Sequence, residues 1–139
     1  MSGELPSRRQ FMAALLTPAV LRVVNACDAW GERAPAVHPE PRPGITASKV
    51  LKPDALREDP DAIPVFDMVR QIPQVADGIR CTCGCAEEPG YYSLLSCFEG
   101  DGMARHCQIC QRQAHIAFTL RGEGKSLKEI RQAIDTEFA

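Results

Sequence analysis

The chain has 139 residues, a formal net charge of −2 and 6% aromatic residues. Its basic residues are scattered, so nothing in the balance fits a nucleic-acid-binding protein, and the length allows one domain at most. Seven cysteines are more than an ordinary cytosolic chain of this size carries.

The chain opens with Ser7-Arg8-Arg9-Gln10-Phe11-Met12. This resembles the twin-arginine export motif, in which a hydroxyl residue, two arginines, any residue, Phe and an apolar residue precede a moderately hydrophobic segment. The apolar run from Phe11 to Val24 is broken by Pro18 and Arg22. It is too short and interrupted to span a bilayer, which takes roughly twenty apolar residues, and it fits a removable signal helix. Val24-Asn25-Ala26-Cys27 resembles a lipobox ending in a lipid-modified cysteine. Residues 1–27 are therefore expected to be a signal segment with Arg8 and Arg9 as the export signal and Cys27 as the lipidation site. The protein would then be exported to the periplasm or cell envelope and held at a membrane surface.

Prolines recur at 35, 39, 41, 43, 53 and 60. At that density they forbid continuous helix or sheet, so residues 28–62 read as an extended, solvated linker. His38, between prolines, reads as a solvated side chain. From 63 onward Val65, Phe66, Val69, Ile72, Val75, Ala76 and Ile79 fall at helical spacing. Pro73 divides them into two short helices or one kinked helix.

The thiols follow: Cys81, Cys83 and Cys85 in CTCGC, Cys97 alone, then Cys107 and Cys110 in HCQIC. In extended chain the alternation at 81–85 puts three sulfurs on one side, and Gly84 allows a bend. Residues 86–102 read as a loop with one short helix near Ser93. A helix from Cys107 to about Arg121 is expected to aim Cys107 and Cys110 at the 81–85 segment, its N-terminus favouring thiolates. His106 is a further candidate ligand; His115 reads as exposed. Gly122 to Lys125 breaks that helix, and Ser126 with Glu129 caps the last one, whose stripe is Leu127, Ile130, Ile134 and Phe138. The expected fold is mainly α: a small domain of three to four helices, residues 63–139, around a cysteine-rich loop.

The order of helix, C-x-C-G-C, lone Cys, C-x-x-C, helix and Gly124-Lys125-Ser126-x-x-Glu129-Ile130-Arg131 resembles the bacterial lipoproteins with a PCYCGC motif over residues 64–138. Arg80 stands at the motif's proline and Thr82 at its tyrosine. The resemblance implies an exported, often lipid-anchored protein, with no settled function. The closing helix is also similar to the CcmH-type cytochrome c maturation subunit, a three-helix redox domain with a single C-x-x-C.

Three functions are open on the residues. The first is a non-catalytic transition-metal site, copper or zinc, with Cys81, Cys83, Cys85, Cys97, Cys107, Cys110 and His106 as ligands and an unknown protein partner. The second is a thiol–disulfide oxidoreductase using Cys107 and Cys110. The third is a disulfide-stapled binding domain in which Cys81, Cys83 and Cys85 pair with Cys97, Cys107 and Cys110. No Walker, Rossmann or Gly-x-Ser-x-Gly pattern occurs.

Overall fold

The computed structural model describes residues 37–139. Arg8, Arg9, Cys27 and the first part of the proline-rich stretch lie outside the described residues. Among the described residues there are four α-helices and no strand: α1 Ile63–Gln71, α2 Pro73–Asp77, α3 Gln108–Gly122 and α4 Leu127–Glu137. No helix among them is long and apolar enough to cross a membrane.

The helix boundaries follow from local chemistry. Prolines open α1 and α2, where the missing N–H costs nothing. Ile72, which precedes Pro73, sits at φ −128°, ψ 44°, because the proline ring disfavours helical backbone before it. The α3–α4 hairpin turns at Gly124, φ +81°, with Gly124 N–H donating to Arg121 O and Lys125 N–H to Leu120 O. Ser126 and Glu129 form the expected capping box: Glu129 N–H donates to Ser126 Oγ at 3.3 Å, and Ser126 N–H to Glu129 Oε2 at 2.8 Å.

The core joins Phe66 and Val69 of α1, Ile79, Leu94, Leu95 and Phe98 of the connecting loop, Ala114 and Ala117 of α3, and Ile130 and Ile134 of α4. Phe66 and Phe98 meet edge to face with centroids 4.7 Å apart, the arrangement their ring quadrupoles favour.

From residue 38 the proline-rich segment is packed against the domain, and this corrects its reading as a solvated linker. Val50 and Leu56 are buried in the core. Val50 bridges Glu99, and Leu51 N–H donates to Phe98 O. Arg42 forms a bidentate pair with fully buried Asp77 at 2.7–3.2 Å, and its guanidinium stacks 4.6 Å over Tyr92. His38, expected in solvent, has a buried ring wedged between Asp135 (2.9 Å) and the N–H of Arg80 (3.0 Å). Proline denies this stretch regular structure, yet extended chain can still lie along a surface. The apolar residues between the prolines give it reason to do so.

Candidate metal centre

The approach to the first cysteine is fixed by three elements at once. Gly78 ends α2 where a Cβ would stand 2.7 Å from Leu127 Cδ2 and 2.9 Å from Pro41 Cγ, so any larger residue there would have to displace those side chains. Arg131 of α4 then donates to Gly78 O at 2.8 Å and to Pro39 O at 2.7 Å. Two residues on, Gln113 of α3 accepts from Thr82 N–H (3.2 Å) through Oε1 and donates to Arg80 O (3.4 Å) through Nε2. Cys81 lies between those two bonds. Gln113 is fully buried and one turn beyond Cys110, so one side chain sets the Cys81 backbone against the helix that carries Cys110.

The 81–85 segment is a turn running into a 3-10 turn at Cys85–Glu87, not the extended chain that alternation implied. Gly84 at φ +96° makes the bend, and it is the bend that folds the sulfurs together. Cys97 comes from the 3-10 turn Leu94–Phe98, which is tied to α2 by Ser93 Oγ donating to Asp77 at 2.8 Å.

The sulfurs of Cys81, Cys83, Cys85 and Cys110 all lie within 4.8 Å of one another. Cys81 is 3.3 Å from Cys83 and 3.3 Å from Cys110, and Cys83 is 3.1 Å from Cys85 and 3.5 Å from Cys110. Cys97 adjoins them, 3.1 Å from Cys85. A tetrahedral zinc site has sulfur–sulfur edges of about 3.8 Å, whereas a disulfide needs about 2.05 Å. The four sulfurs could hold a metal ion if the close pairs, now at 3.1–3.5 Å, open by about 0.3–0.7 Å.

Two proposed ligands are not brought together with the rest. Cys107 is the N-cap of α3, with extended backbone at φ −102°, ψ 104°. It therefore precedes the helical turn on which an i, i+3 partnership with Cys110 was expected, and its sulfur stands outside the foursome. The His106 ring is 72% exposed and faces Asp59 at 3.4 Å. His115 is exposed, as its position on the helix implied.

So many thiols in one place cannot all ionise. Hydrogen bonds from Cys110 and then Cys97 hold the Cys81 thiol far below its ordinary range. The hydrogen bond to Cys81 pushes Cys110 up. Burial pushes Cys83 up to about 12 and raises Cys85. For Cys97 the contact with Cys110 acts downward, but the contact with Cys81 and burial outweigh it. One thiolate at Cys81 is thus shared among protonated neighbours. The helix N-terminus was expected to lower Cys110, and its sulfur neighbours override that effect at contact distance.

A family model for proteins of unknown function with a PCYCGC motif matches residues 42–139. The chain belongs to that family. In the family's motif, residues 80–85 here read Arg-Cys-Thr-Cys-Gly-Cys. The first departure has a structural counterpart: Arg80 N–H donates to His38 Nδ1, a bond proline cannot make. The PCYCGC match starts at residue 42, within the proline-rich segment, as the packing of that segment requires. No curated protein and no solved structure matches the chain, so the similarity to the cytochrome c maturation subunit finds no support there.

Sequence reading missed Gln113, Asp77 and His38. Gln113 shares a helix face with Cys110 and Ala117, and a polar residue on a stripe that carries a cysteine was the available signal. Asp77 and His38 gave none, since their partners are 35 and 97 residues away.

Proposed function

We propose that the protein is a non-catalytic, thiolate-based metal-binding protein that holds a soft d10 ion, Cu(I) or Zn(II), through Cys81, Cys83, Cys85 and Cys110. The observation that carries this reading is the convergence of four sulfurs within 4.8 Å. Soft thiolates select such ions over hard ones. A cation there would also replace the protons that burial and crowding now hold on Cys83, Cys85 and Cys110. The ligands come from a turn and a helix 29 residues apart in sequence, so the ion would brace the core as well as occupy it. The export-type sequence at Arg8 and Arg9, with Cys27 beyond it, supports placing the site in the cell envelope, anchored at a membrane surface and serving a protein partner there.

The test is to purify the full chain, reduced, and measure bound metal by elemental analysis alongside thiol titration before and after denaturation. At least one tightly bound soft ion per chain, with the cluster sulfurs reactive only after denaturation, is expected. A protein that takes up neither ion, or whose cluster cysteines are found oxidised to disulfides, refutes the reading.

A further inference from the structure

The site holds one sulfur more than a single tetrahedral ion uses. Cys97 is fully buried, and its Sγ is 3.1 Å from Cys85 Sγ. It is carried by a segment that is itself pinned, through Ser93, to Asp77. The five sulfurs are also not evenly arranged. Cys81, Cys83 and Cys110 form a triangle with edges of 3.3, 3.3 and 3.5 Å. Cys85 adjoins its Cys83 corner at 3.1 Å, and Cys97, 3.1 Å from Cys85, also contacts Cys81 and Cys110.

We infer that the centre is built for more than one Cu(I) ion, with Cys97 as a ligand of the second and one sulfur of the triangle bridging the two. This deepens the metal-binding reading above and rests on it. Cu(I) accepts two or three sulfurs where zinc takes four. The triangle of Cys81, Cys83 and Cys110 supplies one three-coordinate site. Cys85 and Cys97, with one sulfur shared from the triangle, supply the second. Two three-coordinate ions need six copper–sulfur bonds, and five sulfurs provide six when one bridges. Thiolate sulfur keeps lone pairs enough to bind two ions. Each thiol that binds releases its proton to solvent, and copper stays Cu(I), so no oxidant or reductant is required.

The experiment titrates the full chain, reduced and under anaerobic conditions, with Cu(I) alone and in parallel with Zn(II) alone, counting ions per chain after desalting. The wild type is expected to hold at least two Cu(I) but one Zn(II). Cys97→Ala should lose at least one Cu(I) per chain while keeping its Zn(II), and Cys107→Ser should keep both counts. A wild type that saturates at one Cu(I) while holding one Zn(II) overturns the inference and leaves the metal-binding reading standing; a wild type that holds neither ion sinks both. Undiminished copper in Cys97→Ala overturns the role of Cys97. If Cys97→Ala fails to fold by circular dichroism, X-ray absorption of the copper-loaded wild type decides. Copper–copper scattering is expected, and its absence overturns the inference.

Discussion

Gln113 grips the backbone on both sides of Cys81, accepting from Thr82 N–H and donating to Arg80 O. The Gln113 side chain is fully buried, and both bonds are lost in Gln113→Ala. An unsatisfied buried backbone group costs about 1–3 kcal/mol. The variant should therefore lose about 2–4 kcal/mol of stability and bind metal at least tenfold more weakly, because the Cys81 sulfur loses its fixed distance to Cys110. Denaturant unfolding and a competition titration check this. Undiminished affinity would mean the sulfurs find one another without that brace.

Metal affinity should rise steeply with pH. Cys83, Cys85 and Cys110 have their thiols pushed up, so near neutral pH each must give up a proton when a four-thiolate site forms. Cys81, held down, has already lost its own. The sign follows: lower pH restores competing protons and weakens binding. The logarithm of affinity should climb by about three per pH unit between pH 6 and 8. A slope of four, after correction for the competitor's own protonation, would show that Cys81 is protonated as well.

Cys107→Ser and His106→Ala should leave the zinc count and affinity within about twofold of wild type, since both side chains stand outside the cluster. Cys83→Ser should abolish tight binding. Elemental analysis of the three variants, purified side by side, separates these outcomes. A Cys107→Ser protein that emerges without metal would put the helix cap back among the ligands.

Arg42→Ala leaves Asp77 ionised and buried with Ser93 as its remaining side-chain partner. The Arg42 side chain is 42% exposed, so solvent screens the pair; leaving the buried carboxylate short of partners should cost about 1–3 kcal/mol. Cleaving the chain to a 60–139 fragment adds the loss of Val50 and Leu56 from the core, about 1.5–3 kcal/mol for each large side chain. Against a typical total of about 5–15 kcal/mol, that fragment should be unfolded or nearly so without metal, whereas a 37–139 fragment should melt cooperatively. Equal melting of the two fragments would return the proline-rich segment to the role of a tether.

Arg80→Pro restores the family motif's proline and deletes the N–H that His38 Nδ1 accepts. It should cost about 1–2 kcal/mol while leaving the sulfur cluster intact. Combining it with His38→Ala should be less than additive, because both changes remove the same bond. Strict additivity would show that the two residues do not interact in solution.

Local signals carried most of the helical frame. Pro73 divided α1 from α2, Ser126 and Glu129 opened α4, and the stripe of Ile130 and Ile134 named its buried face. All of that chemistry acts within a few residues. The cysteine cluster was legible as composition but not as shape. Spacing alone suggested that Cys107 and Cys110 act together, and the structure parts them because one caps the helix while the other lies within it. The fate of residues 38–62 was hidden for another reason. Prolines report what backbone a stretch cannot adopt, and they are silent on whether Leu56 or His38 finds a partner dozens of residues away. Asp77 met the same limit, as its burial makes sense only once Arg42 and Ser93 arrive from distant segments.

Of the five clustered sulfurs, four sit at 4% exposure or less and only Cys83 reaches solvent in part. That asymmetry gives the cluster a door. An incoming thiol carrying copper would meet Cys83 first, and an outgoing ion would leave from it last. On the proposed metal-binding reading, residence time and affinity would thereby be separated: the buried sulfurs would hold the ion, and the one partly exposed sulfur would set how fast it is handed over.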